Sequence, residues 1–274
     1  MKYILYRIVR TLGYPIFLLL YRPEFEGRSN IPKSGSVILA GNHTNNLDAA
    51  IMLAGPTRVV HMLAKKELFK SKISNAFFRS MGCIPVDRKI HDENAKSEAR
   101  EILNNKGAIG LFPEGTRNEV TSKEAEIDKV AKILGISHDE VLDKLKNKCT
   151  RTTQVNLLIE LSNSHKITKD ELKDYILKPD ESLLKLLKKK IITKEEYKES
   201  LLLPFKFGAV SLAKKTNSLI IPYATVGNYN GERDQLITRI GSPIDVSNMD
   251  LEEANKLLEE KIKTLVMKAG GINE

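Results

Sequence analysis

The sequence predicts an α/β protein built on a mixed, partly parallel sheet that is flanked by helices. Short apolar runs alternate with helical patterns from residue 36 to residue 112, and the same alternation returns after residue 204. Between these two stretches, residues 119–200 contain no convincing strand and are rich in Lys, Glu, Asp and Leu. An all-helical insert therefore interrupts the predicted α/β pattern.

The expected strands are short apolar runs bounded by turn residues, at 36–41, 58–63, 84–86, 108–112, 218–226 and 235–240. Helical patterns between them predict helices at 47–54, 66–81, 93–105 and 205–217. A final helix begins near Leu251, because apolar residues recur from there at the spacing of a core-facing stripe. Three helix starts inside the insert have the form of capping boxes, each after an isoleucine: Ser137 with Glu140, Thr168 with Glu171, and Thr193 with Glu196.

These patterns divide the chain into three parts. Residues 1–27 form an N-terminal helical segment, residues 28–118 and 201–274 form the α/β domain, and residues 119–200 form the insert. The insert is a candidate lid, oligomerisation arm or docking site for a protein partner, and a solvated helical decoration is the simpler alternative.

The composition favours an anionic partner, because 44 basic and 35 acidic residues give a formal net charge of +9. A membrane surface, a nucleic acid and a phosphorylated substrate all fit this charge. Trp is absent and aromatic residues are few, which argues against nucleic-acid binding by base stacking. Two cysteines and five histidines show no metal-ligand spacing, so we expect neither a disulfide framework nor a metal site.

The N-terminal segment mixes arginines and tyrosines with a Leu, Ile and Phe body. Its uninterrupted apolar stretch is far shorter than the roughly 20 residues of a spanning helix. The pattern predicts two short helices, bent near Gly13 and Pro15, that lie in a membrane interface. The alternative is a helix packed on the protein's own core.

A histidine and a carboxylate occupy the turn between the strand 36–41 and the next helix. Residues five apart on a continuous helix point away from each other, so His43 and Asp48 meet only if the chain turns between them. Asn45 is the expected N-cap of that turn, which places Asp48 in the first helical turn. Asp48 would then fix one imidazole nitrogen of His43 and leave the other as a base. Two ordinary residues, one of them favoured by the helix N-terminus, are the simpler reading of the pair.

Two further turns follow predicted strands, at 82–88 and 112–118, and each places an arginine just beyond the carboxyl end of its strand. Arg88 and Arg117 together could clamp a phosphate, although each alone is typical of a surface ion pair. Gly115 would let a ligand approach the backbone. Glu114 could orient an arginine, accept a substrate hydroxyl or form a structural salt bridge.

In order, these runs resemble the four sequence blocks of the glycerolipid acyltransferases, and most closely those of the 1-acylglycerol-3-phosphate (lysophosphatidic acid) acyltransferase family. The first block matches Asn42 and His43 with Asp48, the second matches 82–88, the third matches 112–117, and the fourth matches 220–222 after 205–209. The resemblance covers about 190 residues, and four blocks in order make it highly specific. It implies the fold of that family, with a membrane-docking N-terminal segment.

The resemblance also implies a mechanism and a substrate. His43 would be the general base and Asp48 would orient it, while the phosphate and glycerol of lysophosphatidic acid would bind at the residues Arg88, Glu114, Gly115, Thr116 and Arg117. The acyl donor would be acyl-CoA, acyl carrier protein or an acyl phosphate, without a cofactor or metal, and the product would be phosphatidic acid. A monotopic enzyme of phospholipid biosynthesis on the cytoplasmic face of the cell membrane follows from the same resemblance.

The chain departs from the family pattern in two places: the insert separates the third block from residue 205, and residues 44–47 differ from the commoner middle of the first block. Two alternatives to the lysophosphatidic acid reading therefore stay open. One is an acyltransferase for glycerol-3-phosphate or another lysophospholipid, and the other is a non-catalytic membrane scaffold that uses the insert. A serine hydrolase is disfavoured, because no Gly-x-Ser-x-Gly motif is present.

Overall fold

The computed structural model describes residues 4–56, 58–87, 90, 92–232 and 236–267. Within these residues the chain forms one seven-stranded sheet with the order β1-β7-β6-β2-β5-β3-β4. Neighbouring strands are parallel, except that β6 and β7 are antiparallel. The strands are Glu24–Glu26 (β1), Val37–Gly41 (β2), His61–Lys65 (β3), Ile84–Val86 (β4), Ala108–Leu111 (β5), Leu219–Gly227 (β6) and Leu236–Ile240 (β7). The predicted mixed, partly parallel fold class is confirmed.

Helices lie before, between and after the strands. The helices outside the insert are Ile4–Ile8 (α1), Tyr14–Tyr21 (α2), Asp48–Ala54 (α3), Lys72–Ser80 (α4), Glu93–Asn104 (α5), Gly208–Thr216 (α12) and Leu251–Met267 (α13). Those of the insert are Glu124–Leu134 (α6), His138–Leu145 (α7), Thr152–Asn163 (α8), Lys169–Tyr175 (α9), Pro179–Lys188 (α10) and Lys194–Glu199 (α11).

The central strands are apolar throughout because both faces of the sheet are covered. Side chains alternate along β2, so that Ile38 and Ala40 belong to one apolar core while Val37 and Leu39 belong to the other. The first core also contains buried residues of α5, α12, α13 and the insert. The second contains buried residues of the N-terminal helix and α3.

Four elements differ from the expected ones. The strand expected at 58–63 lies further along the chain, at His61–Lys65. The single helix expected at 66–81 is instead a 3₁₀ turn, Lys66–Phe69, followed by α4, because the Ser71 side chain caps a new helix start by accepting the Ser74 amide N–H. The helix expected from residue 205 begins at Gly208, since the Lys206 amide N–H bonds to Pro113 outside the helix. Strand β1 was not predicted: it is a three-residue edge strand with no apolar run.

The N-terminal segment is helical from Ile4 to Tyr21, with a π-helical turn at Val9–Gly13 joining α1 to α2. Pro15 lacks an N–H and its ring crowds the preceding turn, and the wider π turn just before it relieves this conflict. This helix is long and apolar enough to cross a membrane by length and composition, whereas the sequence suggested a stretch too short to span. Tyr6 is buried and its hydroxyl accepts the Val60 N–H at 3.3 Å.

The insert is helical as predicted, and its three capping boxes are all present. Helices α8 to α11 contribute Leu158, Leu172, Leu183, Leu186 and Tyr197 to the same apolar core as the sheet. Helices α6 and α7 form a separate, smaller core together with Val120, Val155 of α8 and Ile176. The insert is therefore packed onto the α/β part, which is not the arrangement of a solvated decoration.

Candidate active site

The site begins where β2 ends, and Asn42 fixes its position. The Asn42 side chain is fully buried; its amide donates to the Thr225 carbonyl and its oxygen accepts the Thr225 N–H, both at 2.8 Å. These bonds extend the pairing of β2 with β6 by one residue. The following residue, His43, is therefore held at the carboxyl edge of the sheet.

His43 and Asp48 form the predicted pair. The distance from His43 Nδ1 to Asp48 Oδ2 is 3.0 Å, and the Asp48 side chain is fully buried. The same oxygen accepts the backbone N–H groups of Thr44 at 2.7 Å and Asn45 at 2.8 Å. A carboxylate accepts hydrogen bonds only, so His43 carries a proton on Nδ1, and in the neutral imidazole the free lone pair is on Nε2.

Asn45 is not the N-cap of α3, contrary to the sequence prediction. The helix begins at Asp48 with Leu47 at the cap position and no side-chain cap. The Asn45 side-chain oxygen instead accepts the Leu47 N–H at 3.0 Å, and the backbone carbonyl of Asn45 accepts the Asp48 N–H at 3.2 Å. Asp48 holds the turn from the helix side, because its carboxylate takes the amide donors that precede the helix.

The His43 ring is stacked on Phe112, the first residue after β5. The two ring centroids are 3.9 Å apart and the rings are inclined by 10°. In the described part of the chain, Nε2 has no hydrogen-bond partner. The ring is therefore held on one face and at one nitrogen, while the other nitrogen stays available to a ligand.

Glu114 is buried, and both of its carboxylate oxygens bind backbone donors. Oε1 accepts the His43 N–H at 2.7 Å, and Oε2 accepts the Leu203 N–H at 2.8 Å. Burial raises the pKa of Glu114 to about 8, while the two N–H donors and the nearby Arg151 act in the opposite direction. In this geometry Glu114 positions the His43 backbone and joins it to the chain that returns from the insert.

The rest of the 112–118 turn follows Glu114. Gly115 has a φ of +70°, a conformation that favours glycine. Arg117 is about one-quarter exposed, and its Nη1 lies 3.1 Å from Glu119 Oε2. Thr116 is half-buried beside it. Arg88, the other arginine of the expected phosphate clamp, lies outside the described residues, so the two-arginine clamp stays a prediction.

Tyr229 is a site residue that the sequence analysis missed. Its hydroxyl donates to Asp48 Oδ1 at 2.6 Å, from a loop that is 181 residues further along the chain. The Tyr229 ring also makes an edge contact with Tyr21 at the end of the N-terminal helix, with ring centroids 5.8 Å apart. No local signal marks this tyrosine, because its role arises only where β6 ends beside β2.

The insert also reaches the site. The Asn118 N–H donates to the His43 carbonyl at 2.7 Å, and the Asn118 side chain is hydrogen-bonded to Thr153 at the start of α8. The Cys149 N–H donates to the Asn228 side chain, next to Tyr229, at 2.9 Å. Two segments of the insert thus contact residues beside the His43 turn: the start of α8 through Asn118, and Cys149 through Asn228.

We expect Tyr229→Phe to destabilise the protein by about 1–3 kcal/mol, because a buried carboxylate oxygen loses its hydroxyl donor. Tyr223→Phe is a matched control: its hydroxyl is fully buried and has no hydrogen-bond partner among the described residues. Removing that hydroxyl should leave stability unchanged or raise it. Chemical denaturation of both variants measures the difference, and equal effects of the two substitutions would show that the Tyr229 bond contributes little.

The structure thus defines an α/β protein with a mixed sheet and a candidate active site, in which a histidine is paired with a buried carboxylate at the carboxyl edge of the sheet. The sequence model of the family described as Acyltransferase matches residues 22–226, and the chain belongs to this family.

Two relatives share the name 1-acyl-sn-glycerol-3-phosphate acyltransferase. The one from Borreliella burgdorferi is 35% identical over 94 residues, which are 34% of this chain and 38% of that protein. The one from Bacillus subtilis is 29% identical over 92 residues, which are 33% of this chain and 46% of that protein. The chain therefore matches less than half the length of each relative.

A crystal structure of the 1-acyl-sn-glycerophosphate acyltransferase PlsC from Thermotoga maritima has a similar fold. The TM-score is 0.59 at 19% sequence identity, and the match covers all of this chain and 83% of that one. At this identity the likeness shows the fold alone.

Proposed function

We propose that this protein transfers a fatty acyl group from an activated donor to the sn-2 hydroxyl of 1-acylglycerol-3-phosphate, giving phosphatidic acid. The observation that carries the proposal is the buried Asp48 carboxylate on His43 Nδ1, which directs the other ring nitrogen, Nε2, away from the carboxylate and leaves it without a hydrogen-bond partner among the described residues. The names of the two relatives support the choice of acceptor.

His43 would act as the general base. Its Nε2 takes the proton from the sn-2 hydroxyl while that oxygen attacks the donor carbonyl. The bond from the carbonyl carbon to the donor sulfur, or to the phosphate oxygen of an acyl phosphate, then breaks. The leaving group then takes up the proton from the imidazolium. Because the acceptor hydroxyl attacks the donor directly, no acyl-enzyme is formed. Asp48 stabilises the imidazolium between these two proton transfers.

The acceptor's phosphate and glycerol would bind at the turn after β5, at Gly115, Thr116 and Arg117, with Arg88 as the second guanidinium. Guanidinium groups recognise phosphates by paired, charge-assisted hydrogen bonds. Glu114 supports this turn from below, since its oxygens hold the His43 and Leu203 backbones. Acyl-CoA, acyl carrier protein and an acyl phosphate are the candidate donors.

The test is a panel of acceptors and donors with purified protein in detergent micelles. Phosphatidic acid should form from 1-acylglycerol-3-phosphate with one of the three donors, as followed by mass spectrometry. If glycerol-3-phosphate or another lysophospholipid is acylated instead, the acceptor assignment is wrong. If no acceptor is acylated with any donor, the remaining alternative is a non-catalytic scaffold.

We also propose that the N-terminal helix docks the enzyme on the cytoplasmic face of the cell membrane, where its lipid substrate is found. The helix has a row of exposed apolar side chains at Ile4, Ile8, Leu12, Ile16, Leu19 and Leu20. Tyr6 and Tyr21 on the same helix instead contact the body of the protein. The helix therefore has one face on the protein and one available to lipid.

Replacing Leu12, Ile16 and Leu19 with serine should release the protein from lipid vesicles in a sedimentation assay. Each apolar side chain contributes about 1.5–3 kcal/mol to the free energy of binding when it is buried in lipid. The loss of three such contributions should therefore exceed the free energy of a moderately tight association with the vesicle. The fold should persist, because all three side chains are exposed. Serine at Leu142, Leu68 and Leu251, which are exposed elsewhere, is the matched control. Unchanged sedimentation of the first variant would argue against docking through this helix.

A further inference from the structure

In the turn that we propose as the phosphate site, the charge of the arginine is already paired with a carboxylate. Arg117 Nη1 lies 3.1 Å from Glu119 Oε2, and Glu114 is buried beneath the turn with its oxygens bound to backbone N–H groups. The negative charge of Glu119 thus already neutralises the positive charge of Arg117, the arginine of this turn. A phosphate group carries up to two negative charges and is best held by a cation that no carboxylate has neutralised.

Lys206 is such a cation, and it is fixed against the same turn. Its backbone N–H donates to the Pro113 carbonyl at 2.9 Å, which holds the backbone of Lys206 against the 112–118 turn. The residue is exposed, and in the described part of the chain Lys206 makes no ion pair. It lies two residues before α12, whose N-terminus adds a further favourable field for an anion.

The Lys206 side chain occupies the space that Gly115 leaves open. A Cβ atom at Gly115 would lie 2.8 Å from Lys206 Cε, 2.9 Å from Nζ and 3.0 Å from Cδ. The absence of a side chain at Gly115 therefore lets the lysine fold across the turn. This contact places the ammonium group beside Gly115, in the turn that follows Glu114, the residue whose carboxylate holds the His43 backbone.

We propose that Lys206 is a phosphate-binding residue of the acceptor site and determines the preference for a phosphorylated acceptor. The inference rests on the proposed function and deepens it. The phosphate and the sn-2 oxygen of the acceptor are joined by a short glycerol backbone. A cation on the turn beside His43 holds the phosphate while the hydroxyl faces the base. The lysine binds as a point charge and complements the directional guanidinium groups.

The main test compares kinetic constants for Lys206→Gln and wild-type protein with 1-acylglycerol-3-phosphate. The acceptor KM should rise about 10- to 100-fold, as expected for one lost hydrogen bond between charged groups. Neither kcat nor the KM for the donor should change by more than about twofold, because the contact is equal in ground state and transition state. Lys206→Arg should restore most of the affinity. An unchanged acceptor KM in Lys206→Gln overturns the proposal.

Two controls separate phosphate binding from a general effect on the site. Lys215→Gln removes an exposed lysine from the last turn of the same helix α12 and should leave every constant unchanged. With a monoacylglycerol acceptor, which lacks the phosphate, wild type and Lys206→Gln should have the same activity. A similar loss with that acceptor would assign Lys206 to the fold of the turn and overturn the phosphate assignment.

Gly115→Ala tests the contact itself. The added methyl group displaces the lysine chain and also strains the backbone at the φ of +70°, so the acceptor KM should rise at least as much as in Lys206→Gln. The double variant should be little worse than Gly115→Ala alone, because the lysine interaction is already lost in that variant. Fully additive effects would show that the two residues act separately, which would overturn the proposed arrangement.

A binding experiment distinguishes this inference from the proposed function. Inorganic phosphate or sn-glycerol 3-phosphate should protect Lys206, and not Lys215, from acetylation by acetic anhydride, as read by mass spectrometry. Protection without phosphatidic acid synthesis would support the anion site and refute the proposed acceptor. Phosphatidic acid synthesis without protection, and with an unchanged KM in Lys206→Gln, would support the function and refute the role of Lys206.

Discussion

His43→Ala should lower kcat by about 10²–10⁴-fold, the range that general base catalysis contributes. The substitution removes the Nε2 atom that we propose takes the proton from the acceptor hydroxyl. The backbone of residue 43 should stay in place, because its N–H bonds to Glu114 and its carbonyl accepts the Asn118 N–H. The acceptor KM should therefore change much less than kcat. The measurement is phosphatidic acid formation under saturating donor and acceptor.

The insert offers a matched control for this substitution. His138 Nδ1 lies 3.1 Å from Asp128 Oδ1, almost the same distance as in the His43–Asp48 pair, but this second pair is at the surface. His138→Ala should leave kcat unchanged. Near wild-type turnover in a folded His43→Ala protein would show that His43 is not the base.

Asp48→Asn should lower kcat by about 100-fold or more and leave the fold nearly intact. The asparagine oxygen can replace Oδ2 as the acceptor for His43 Nδ1 and for the two backbone N–H groups. Its amide group then faces the Tyr229 hydroxyl, which can accept as well as donate. The imidazolium formed during the reaction, however, loses its counter-charge. The ratio of kcat values and the thermal midpoints of both proteins test this expectation.

Asp128→Asn is the matched control for this change, since it neutralises the carboxylate of the surface pair, and it should not alter kcat. Asp48→Ala removes all four hydrogen bonds and should lower the thermal midpoint as well as kcat. An Asp48→Asn protein with wild-type kcat would show that the charge of Asp48 is not needed for turnover.

Local patterns predicted much of the fold correctly. The three capping boxes of the insert are present because a hydroxyl, a backbone N–H and a glutamate three residues on interact within one helical turn. The central strands were predicted because parallel strands covered on both faces are continuous apolar runs. Apart from the unpredicted edge strand β1, the errors lie at element ends, as at Ser71 and Asn45, where competing hydrogen bonds determined where the helix begins.

The site was predictable only where its residues are near in sequence. His43 and Asp48 are five residues apart, and the turn that joins them could be read from the strand and helix on either side. Glu114 was identified as a site residue from the sequence, but the direction of its carboxylate was not. The N–H groups that it accepts belong to residues 43 and 203, which are distant in the sequence. Tyr229 carries no local signal, and the run 205–209 was noted only as part of the family resemblance, without a role for Lys206. Both residues contact a turn that is far away in the sequence.

The sequence by itself thus determined the α/β class, the helical insert and the His43–Asp48 pair, because each depends on periodicity or on contacts within a few residues. Only the tertiary structure decided that the Tyr229 hydroxyl is the remaining hydrogen-bond donor to Asp48 and that the Glu114 carboxylate binds the backbones of residues 43 and 203. It also decided that the insert packs against the sheet. Those features depend on the strand order β6-β2-β5, which brings the ends of three distant strands to one edge. Burial against the sheet, and not helix propensity, makes the insert part of the site.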